Sequence, residues 1–239
     1  MKLVASVVSP NSSVLGQDSG SVCCSTANGL PFTSSLPESF DVVIDFSTPA
    51  ACMQAIQIAS ENGSAFVLAT TGLTDLQLDE VHALASKIPI CIAPNTSLAV
   101  NIAMNMSRRI AHTLATVDAQ PDVEIIERHH RFKADSPSGT ALRFGELIAK
   151  ELDLTQIAHG RSGAVGERPR NEIGYHAVRV GDDVGQHTIV FGMLGELIEM
   201  RVAASSRDAY ATGAIAAAKF LVGKPPGLYS MNDVLDLND

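Results

Sequence analysis

Apolar residues in the first half of the chain fall in short continuous runs divided by stretches of helical period. Residues 41–46 (Asp41-Val42-Val43-Ile44-Asp45-Phe46), 65–72 and 89–93 read as strands. Near-continuous Val, Ile and Leu suit strands covered on both faces, as in parallel sheets. Between them, residues 50–62 and 74–87 repeat apolar positions at helical spacing, and Gly63 stops the first. Residues 3–8 add another strand, expected to pair with 41–46. Residues 9–37, rich in Ser, Gly and Asn, read as loop.

After Val100 the pattern changes. Residues 101–114 predict a helix, 123–126 a strand and 141–152 a helix. A Gly- and Arg-rich loop, 160–172, precedes three long β runs at 173–180, 187–193 and 196–204. Long strands without helices between them indicate an antiparallel or mixed sheet. An Ala-rich helix, 207–222, and a short tail, 228–239, close the chain. In the loop, Arg161, Arg168 and Arg170 are expected to face solvent.

The fold class is therefore α/β: a partial doubly wound, Rossmann-like parallel sheet, plus a second α+β domain with a mixed sheet. Residues 1–99 and 208–239 form the first domain, to which the last helix returns, and 100–207 the second.

Composition narrows the function classes. With 239 residues and 46% hydrophobic content the chain can bury a real core, and a charged fraction of 18% is too low for disorder. A net charge of -9 argues against nucleic acid as partner, but leaves room for an anionic small molecule in a locally cationic cleft. No apolar run approaches the roughly 20 residues that span a bilayer. Cys23, Cys24, Cys52 and Cys91 lack metal-ligand spacing and read as free thiols of a cytoplasmic protein.

Candidate chemistry concentrates in residues 127–140, Glu127-Arg128-His129-His130-Arg131-Phe132-Lys133-Ala134-Asp135-Ser136-Pro137-Ser138-Gly139-Thr140, between strand and helix. Ser138-Gly139-Thr140 opens the helix. The unpaired N–H groups there carry positive partial charge and suit an anion, while Ser138 or Thr140 caps the helix. Lys133 adds a full charge, and a carboxylate or phosphate fits either way. His129 and His130 would face opposite sides of a strand unless the strand has ended; a histidine there suits general acid work. No second His/Cys/Asp cluster supports a metal. Glu127 and Asp135 orient the basic groups, and Arg207 can reach an anion or only a carboxylate. In parallel sheets ligands bind beyond the carboxyl ends of the strands. Those ends carry Phe46-Ser47-Thr48, Thr70-Thr71-Gly72 and Asn95-Thr96-Ser97, which are equally ordinary turn chemistry.

The run Glu127-x-His129-His130-x-x-Lys133-x-Asp135-x-Pro137-Ser138-Gly139-Thr140-Ala141 resembles the signature of the dihydrodipicolinate reductase (4-hydroxy-tetrahydrodipicolinate reductase) family. Residues 41–47, 70–72, 93–97 with Asn101, 166–168, 173–174, 185–188 and 204–207 follow in that family's order. The resemblance implies hydride delivery from NADPH or NADH to C4 of a cyclic dicarboxylate in lysine and diaminopimelate biosynthesis. It implies His129 as the acid that protonates the neighbouring carbon and Lys133 as a second catalytic group. His130, Lys133, Ser138, Gly139 and Thr140 would hold a substrate carboxylate, with Arg207 nearby. Phe46, Ser47, Thr70, Thr71, Gly72, Ala93, Asn95 and Thr96 would approach the cofactor. It also implies a homotetramer assembled through the sheet of the second half.

The family pattern begins with a strand and a Gly-rich turn that cradles pyrophosphate. No GxGxxG or GxxGxxG occurs in the first 60 residues, and Val8-Ser9-Pro10 stands where a ribose-binding acid would follow the second strand. Weak NAD(P)H affinity is therefore expected. The competing reading is a non-catalytic dicarboxylate-binding or assembly protein on the same fold; a phosphate-ester enzyme has only the helix start in its favour.

Overall fold

The computed structural model describes residues 1–24 and 26–238. It divides into two compact units, Met1–Pro94 with Ile215–Ser230, and Asn95–Ala214 with Met231–Asp239.

The first unit opens with β1 (Ser6–Val7), α1 (Ser19–Cys24) and β2 (Phe32–Thr33). Here the structure corrects two expectations. β1 pairs in parallel with β2, not with the strand at 42–45, and the supposed loop 9–37 contains both α1 and β2. The physical reason is a local network. The Asp18 carboxylate accepts from the backbone N–H groups of Ser21 (2.8 Å), Asn28 (3.2 Å) and Gly29 (2.7 Å), folding this segment onto itself. Leu3 and Val4 stay exposed, so burial gives them no reason to enter the larger sheet.

That sheet is parallel throughout. It is built from β3 (Val42–Asp45), β4 (Ala65–Leu68), β5 (Pro89–Ile92) and the late β11 (Gly227–Tyr229), in the order β11-β5-β4-β3. All four residues of β4 are buried, as its unbroken apolar run predicts. The crossovers are α2 (Pro49–Asn62) and α3 (Asp75–Leu84). Thr48 caps α2 with Pro49 in its first turn, Gly63 closes it at φ 69°, and Thr74 with Gln77 forms a capping box on α3. Ile56, Phe66, Val81, Ile88 and Ile90 fill the core. β11 was hidden in what reads as a tail, and it carries the end of the chain back to β5.

The second unit holds α4 (Leu98–Thr116), β6 (Asp122–His129), α5 (Gly139–Leu152), β7 (Gln156–His159), β8 (Glu172–Arg179), β9 (Gln186–Met193) and β10 (Glu196–Ala203). The start of α6 (Asp208–Leu221) and α7 (Met231–Val234) also belong to it; the unit boundary falls inside α6. The mixed sheet runs β10-β9-β6-β8-β7. Central β6 is antiparallel to β9 and parallel to β8. α4 and α5 pack on one face over Val123, Ile125, Phe144, Ile148, Ile173, Ile189 and Phe191.

On the opposite side of β6, Glu124 gathers Arg161 (2.7 Å), Arg168 (3.0 Å) and His176 (2.6 Å). Burial alone would raise this carboxyl, but the three hydrogen-bonding partners pull it to about 2. Arg168 therefore does not face solvent, as its loop position suggests. It is half-buried, and its guanidinium also binds Asp122 and the carbonyls of Val123, Pro169 and Glu172. Gly174 makes room for this cluster, since a Cβ there would run into the Glu124 carboxylate.

Among the described residues no helix is long and apolar enough to cross a membrane. Cys52 and Cys91 are buried, Cys23 and Cys24 exposed, and no disulfide joins them.

Candidate functional site

β6 alternates strictly, and its inward face reads Val123, Ile125, Glu127, His129. The first two positions serve the core. The last two put a carboxylate and an imidazole on the same buried face, where the strand emerges beside the start of α5. Glu127 has no side-chain exposure. His129 Nδ1 lies 2.5 Å from Glu127 Oε2. Arg179, at the end of β8, grips both oxygens at 2.8 Å, and the Ser138 N–H adds a bond of 3.1 Å. Burial would raise the Glu127 carboxyl; Arg179, His129 and the Ser138 N–H outweigh it and hold the group below the ordinary carboxylate range.

β6 ends at His129, so His130 lies beyond the strand and the opposite-faces rule does not divide the pair. His130 Nδ1 is buried without a hydrogen-bond partner among the described residues. His129 meets the ring of His187 edge-on at 5.2 Å. Gly185, at φ 143°, leaves the space for it: a Cβ there would come within 2.8 Å of His129 Nε2.

Ser138 caps α5, its Oγ accepting from the Ala141 N–H at 3.1 Å. The same Oγ lies 3.0 Å from His187 Nε2. Burial, and then the neighbouring His129, push His187 down to about 4, so it is neutral at neutral pH. Thr140 is held by Asn95, whose Nδ2 donates to its Oγ1 at 3.2 Å. Lys133 Nζ binds the Asp135 carboxylate at 2.7 Å. That contact, helped by the Gly139 N–H, lowers the Asp135 carboxyl. A carboxylate thus already sits between Lys133 and the helix start.

The remaining predicted residues are distributed as follows. Phe46, Ser47, Thr70, Thr71, Gly72 and Ala93 belong to the first unit, Asn95, Thr96 and Arg207 to the second. At the carboxyl edge of the parallel sheet the buried Asp45 carboxylate accepts from Ser47 Oγ at 2.9 Å and from Thr70 Oγ1, tying the ends of β3 and β4 together. Gly72 turns the chain at φ 81°, and Phe46 and Thr71 are exposed. Thr96 is buried with its hydroxyl donated to the Tyr210 carbonyl (2.8 Å), so it offers a ligand backbone only. Arg207 is exposed just before α6. A cavity of about 410 Å³, lined by Ser136, Pro137, His159, Gly160, Tyr175, His176 and Ala177, includes neither His129 nor Lys133.

Glu127, expected from the sequence to orient the basic groups, hydrogen-bonds to His129 and Arg179, while Arg179 and His187 were not expected as members of the cluster. Their only sequence signal is strand periodicity, which cannot say that β8 and β9 flank β6.

Two family patterns cover the chain. "Dihydrodipicolinate reductase, N-terminus" matches residues 1–96, and "Dihydrodipicolinate reductase, C-terminus" matches 99–235. The chain belongs to the dihydrodipicolinate reductase family. It is 52% identical to the 4-hydroxy-tetrahydrodipicolinate reductase of Rhodopirellula baltica, over all of this chain and 88% of the relative. The enzyme of the same name from Hahella chejuensis is 42% identical over 98% and 89% of the two chains. Among solved structures, the dipicolinate-bound dihydrodipicolinate reductase from Paenisporosarcina sp. TG-14 superposes with a TM-score of 0.66. It is 26% identical, over 84% of this chain and 82% of that one. An amine dehydrogenase from Mycobacterium smegmatis shares the fold at 12% identity, TM-score 0.55. Membership of this reductase family makes the chain an oxidoreductase, with NADH or NADPH as the reductant.

Proposed function

We propose that the chain reduces 4-hydroxy-tetrahydrodipicolinate to tetrahydrodipicolinate in lysine and diaminopimelate biosynthesis, with the loss of water, and that residues 127–140 hold the substrate. The observation that carries this reading is the ion pair of Lys133 with the Asp135 carboxylate, three residues before the Ser138 cap of α5. Asp135 is more than half exposed and can give way, and a substrate carboxylate takes its place. Ser138, Thr140 and His130 complete the cradle; the unpartnered, buried His130 Nδ1 is a polar atom to which a bound ligand can supply the missing hydrogen bond.

Once the C4 hydroxyl and a hydrogen of the neighbouring carbon have left as water, reduced nicotinamide, when bound, would supply the hydride to C4 of the resulting double bond. His129, fixed through Nδ1 by Glu127, donates a proton from Nε2 to the neighbouring carbon. Lys133 offsets the negative charge that develops. For the cofactor, the small polar groups at the carboxyl ends of β3, β4 and β5 fit a nicotinamide and its ribose. Asp45, Ser47 and Thr70 hold this edge in one arrangement, Gly72 allows close backbone approach, and Phe46, Thr71 and Ala93 belong to the same edge, while Asn95 and Thr96 are assigned to the cofactor by the family resemblance alone.

The first 60 residues carry no Gly-rich turn of the GxGxxG or GxxGxxG type ahead of the parallel sheet. The 239-residue polypeptide therefore binds NAD(P)H weakly, and turnover is impaired. The test is NAD(P)H oxidation with freshly made substrate, on this chain and on one extended upstream by a strand and Gly-rich turn. Turnover that rises with the extension supports the reading. Turnover in neither, with dipicolinate still bound, favours the non-catalytic dicarboxylate-binding alternative. A homotetramer is likewise proposed, through the open face of the mixed sheet, where Ile126, Val178 and Leu197 are exposed.

A further inference from the structure

Glu127 is a fully buried and fully engaged side chain of the second unit. Its carboxylate takes four donors, two on each oxygen. Oε1 receives Arg179 Nη2 (2.8 Å) and the Ser138 N–H (3.1 Å); Oε2 receives Arg179 Nη1 (2.8 Å) and His129 Nδ1 (2.5 Å). A carboxylate buried this completely is destabilising unless its lone pairs are filled by well-placed donors, and here all are. Arg179 is itself anchored, donating to the carbonyls of Asp135 (2.6 Å) and Val178 (2.9 Å). One guanidinium thus touches β8, the turn that carries Lys133 and Asp135, and the carboxylate under His129.

We infer that Glu127, clamped by Arg179, is the positioning residue that locks the proton donor His129 and the first turn of the anion-binding helix α5 into one geometry. This rests on the reading of His129 as the acid and Ser138–Thr140 as the cradle. The reasoning is geometric. His129 rotates about its side-chain bonds unless Nδ1 is held, and holding Nδ1–H fixes both tautomer and ring plane. The Ser138 N–H is the capping residue's own donor, so its bond to Glu127 sets where the helix begins relative to the imidazole. Bidentate Arg–carboxylate pairing fixes the carboxylate plane, which a lysine at that position does not do. Neither Glu127 nor Arg179 needs to touch substrate. They determine whether acid and cradle stand at the right separation when substrate arrives.

The test uses the full chain, ¹⁵N-labelled on histidine, with dipicolinate as probe. In the parent, spectra taken at alkaline pH, where the proton that Nε2 donates has been removed, give the Nδ1–H signature of His129 in long-range ¹H–¹⁵N correlations. In Glu127→Gln and Arg179→Met that signature gives way to a tautomer mixture. Dipicolinate affinity falls about tenfold, the scale expected for losing hydrogen bonds to a charged group. Arg179→Lys is intermediate in both readouts. A merely structural role lowers the thermal midpoint and leaves the tautomer as it was. Retention of the Nδ1–H signature together with affinity within twofold of the parent, in folded Glu127→Gln or Arg179→Met, overturns the inference. Should both fail to fold, parent-like values in Arg179→Lys overturn it instead. His129→Gln separates the underlying reading: unchanged turnover in the upstream-extended form removes His129 as the acid, whatever the Glu127 variants do.

Discussion

Ser138 Oγ and His187 Nε2 lie 3.0 Å apart, joining the cap of α5 to the middle strand pair of the sheet. His187 stands opposite Glu127 in the β6–β9 register, so one rung of the ladder carries both the carboxylate under His129 and the imidazole under Ser138. The hydroxyl already accepts from the Ala141 N–H. In the Nε2–H tautomer of neutral His187, which donates to Ser138 Oγ, the Ser138 proton is left to point at an anion.

This pairing has a pH consequence. The folded value of His187, about 4, lies below its ordinary 6.5, so the unfolded chain binds more protons between those limits. Stability contributed by neutral His187 is complete above pH 6.5 and is lost as pH falls toward 4. At roughly 1.4 kcal/mol per unit the loss reaches at most about 3.5 kcal/mol. Urea unfolding at pH 7 and 4.5 measures it, and His187→Asn should flatten the dependence. An equally steep slope in that variant counts against the assignment. Glu127 and Glu124, both held low, add their own losses only below about 4.5.

Asn95→Ala removes the donor to Thr140 Oγ1. Losing one hydrogen bond of about 1 kcal/mol predicts a roughly fivefold weaker dipicolinate affinity by calorimetry. An unchanged value means Thr140 is positioned by the helix alone.

Ser138→Ala strips the cap from α5 and the partner from His187. Loss of a cap costs about 1 kcal/mol of stability. Dipicolinate affinity should fall in the same variant, and Ser138→Thr should restore stability more than affinity. Thermal melts and calorimetry on the pair read the two effects separately.

Gly213 lies inside α6, where Ala would ordinarily stabilise a helix by up to about 1 kcal/mol. Here a Cβ would strike the Thr96 carbonyl, a backbone group that cannot swing away. Gly213→Ala should therefore destabilise, lowering the urea midpoint. A raised midpoint would mean that the helix and the turn at Thr96 separate easily.

Much of the fold is legible along the chain because short-range rules govern it. The three parallel strands, their crossovers, the helix start at Ser138 and the three long strands of the second unit all follow from period and capping. The front of the chain is not legible in that way. Leu3 and Val4 look like strand residues, yet the backbone donors gathered by Asp18 bind the segment to β2. β7 and β11 escape notice too, since Gln-Ile-Ala-His and Gly-Leu-Tyr lack the continuous apolar run that marks β4 and β5.

The candidate site divides along the same line. The sequence alone determined that a histidine pair, a lysine and a helix start stand together, because they are contiguous and chain geometry keeps them close. It also determined the family, through the order of its motifs. Only the tertiary structure decided that Arg179 from β8 and His187 from β9 complete the cluster, and that Arg168 lies half-buried against Glu124. Those contacts join residues some fifty positions apart, and strand order sets them: β6 lies between β8 and β9 through backbone pairing on both of its edges, and nothing local to any one strand states that arrangement.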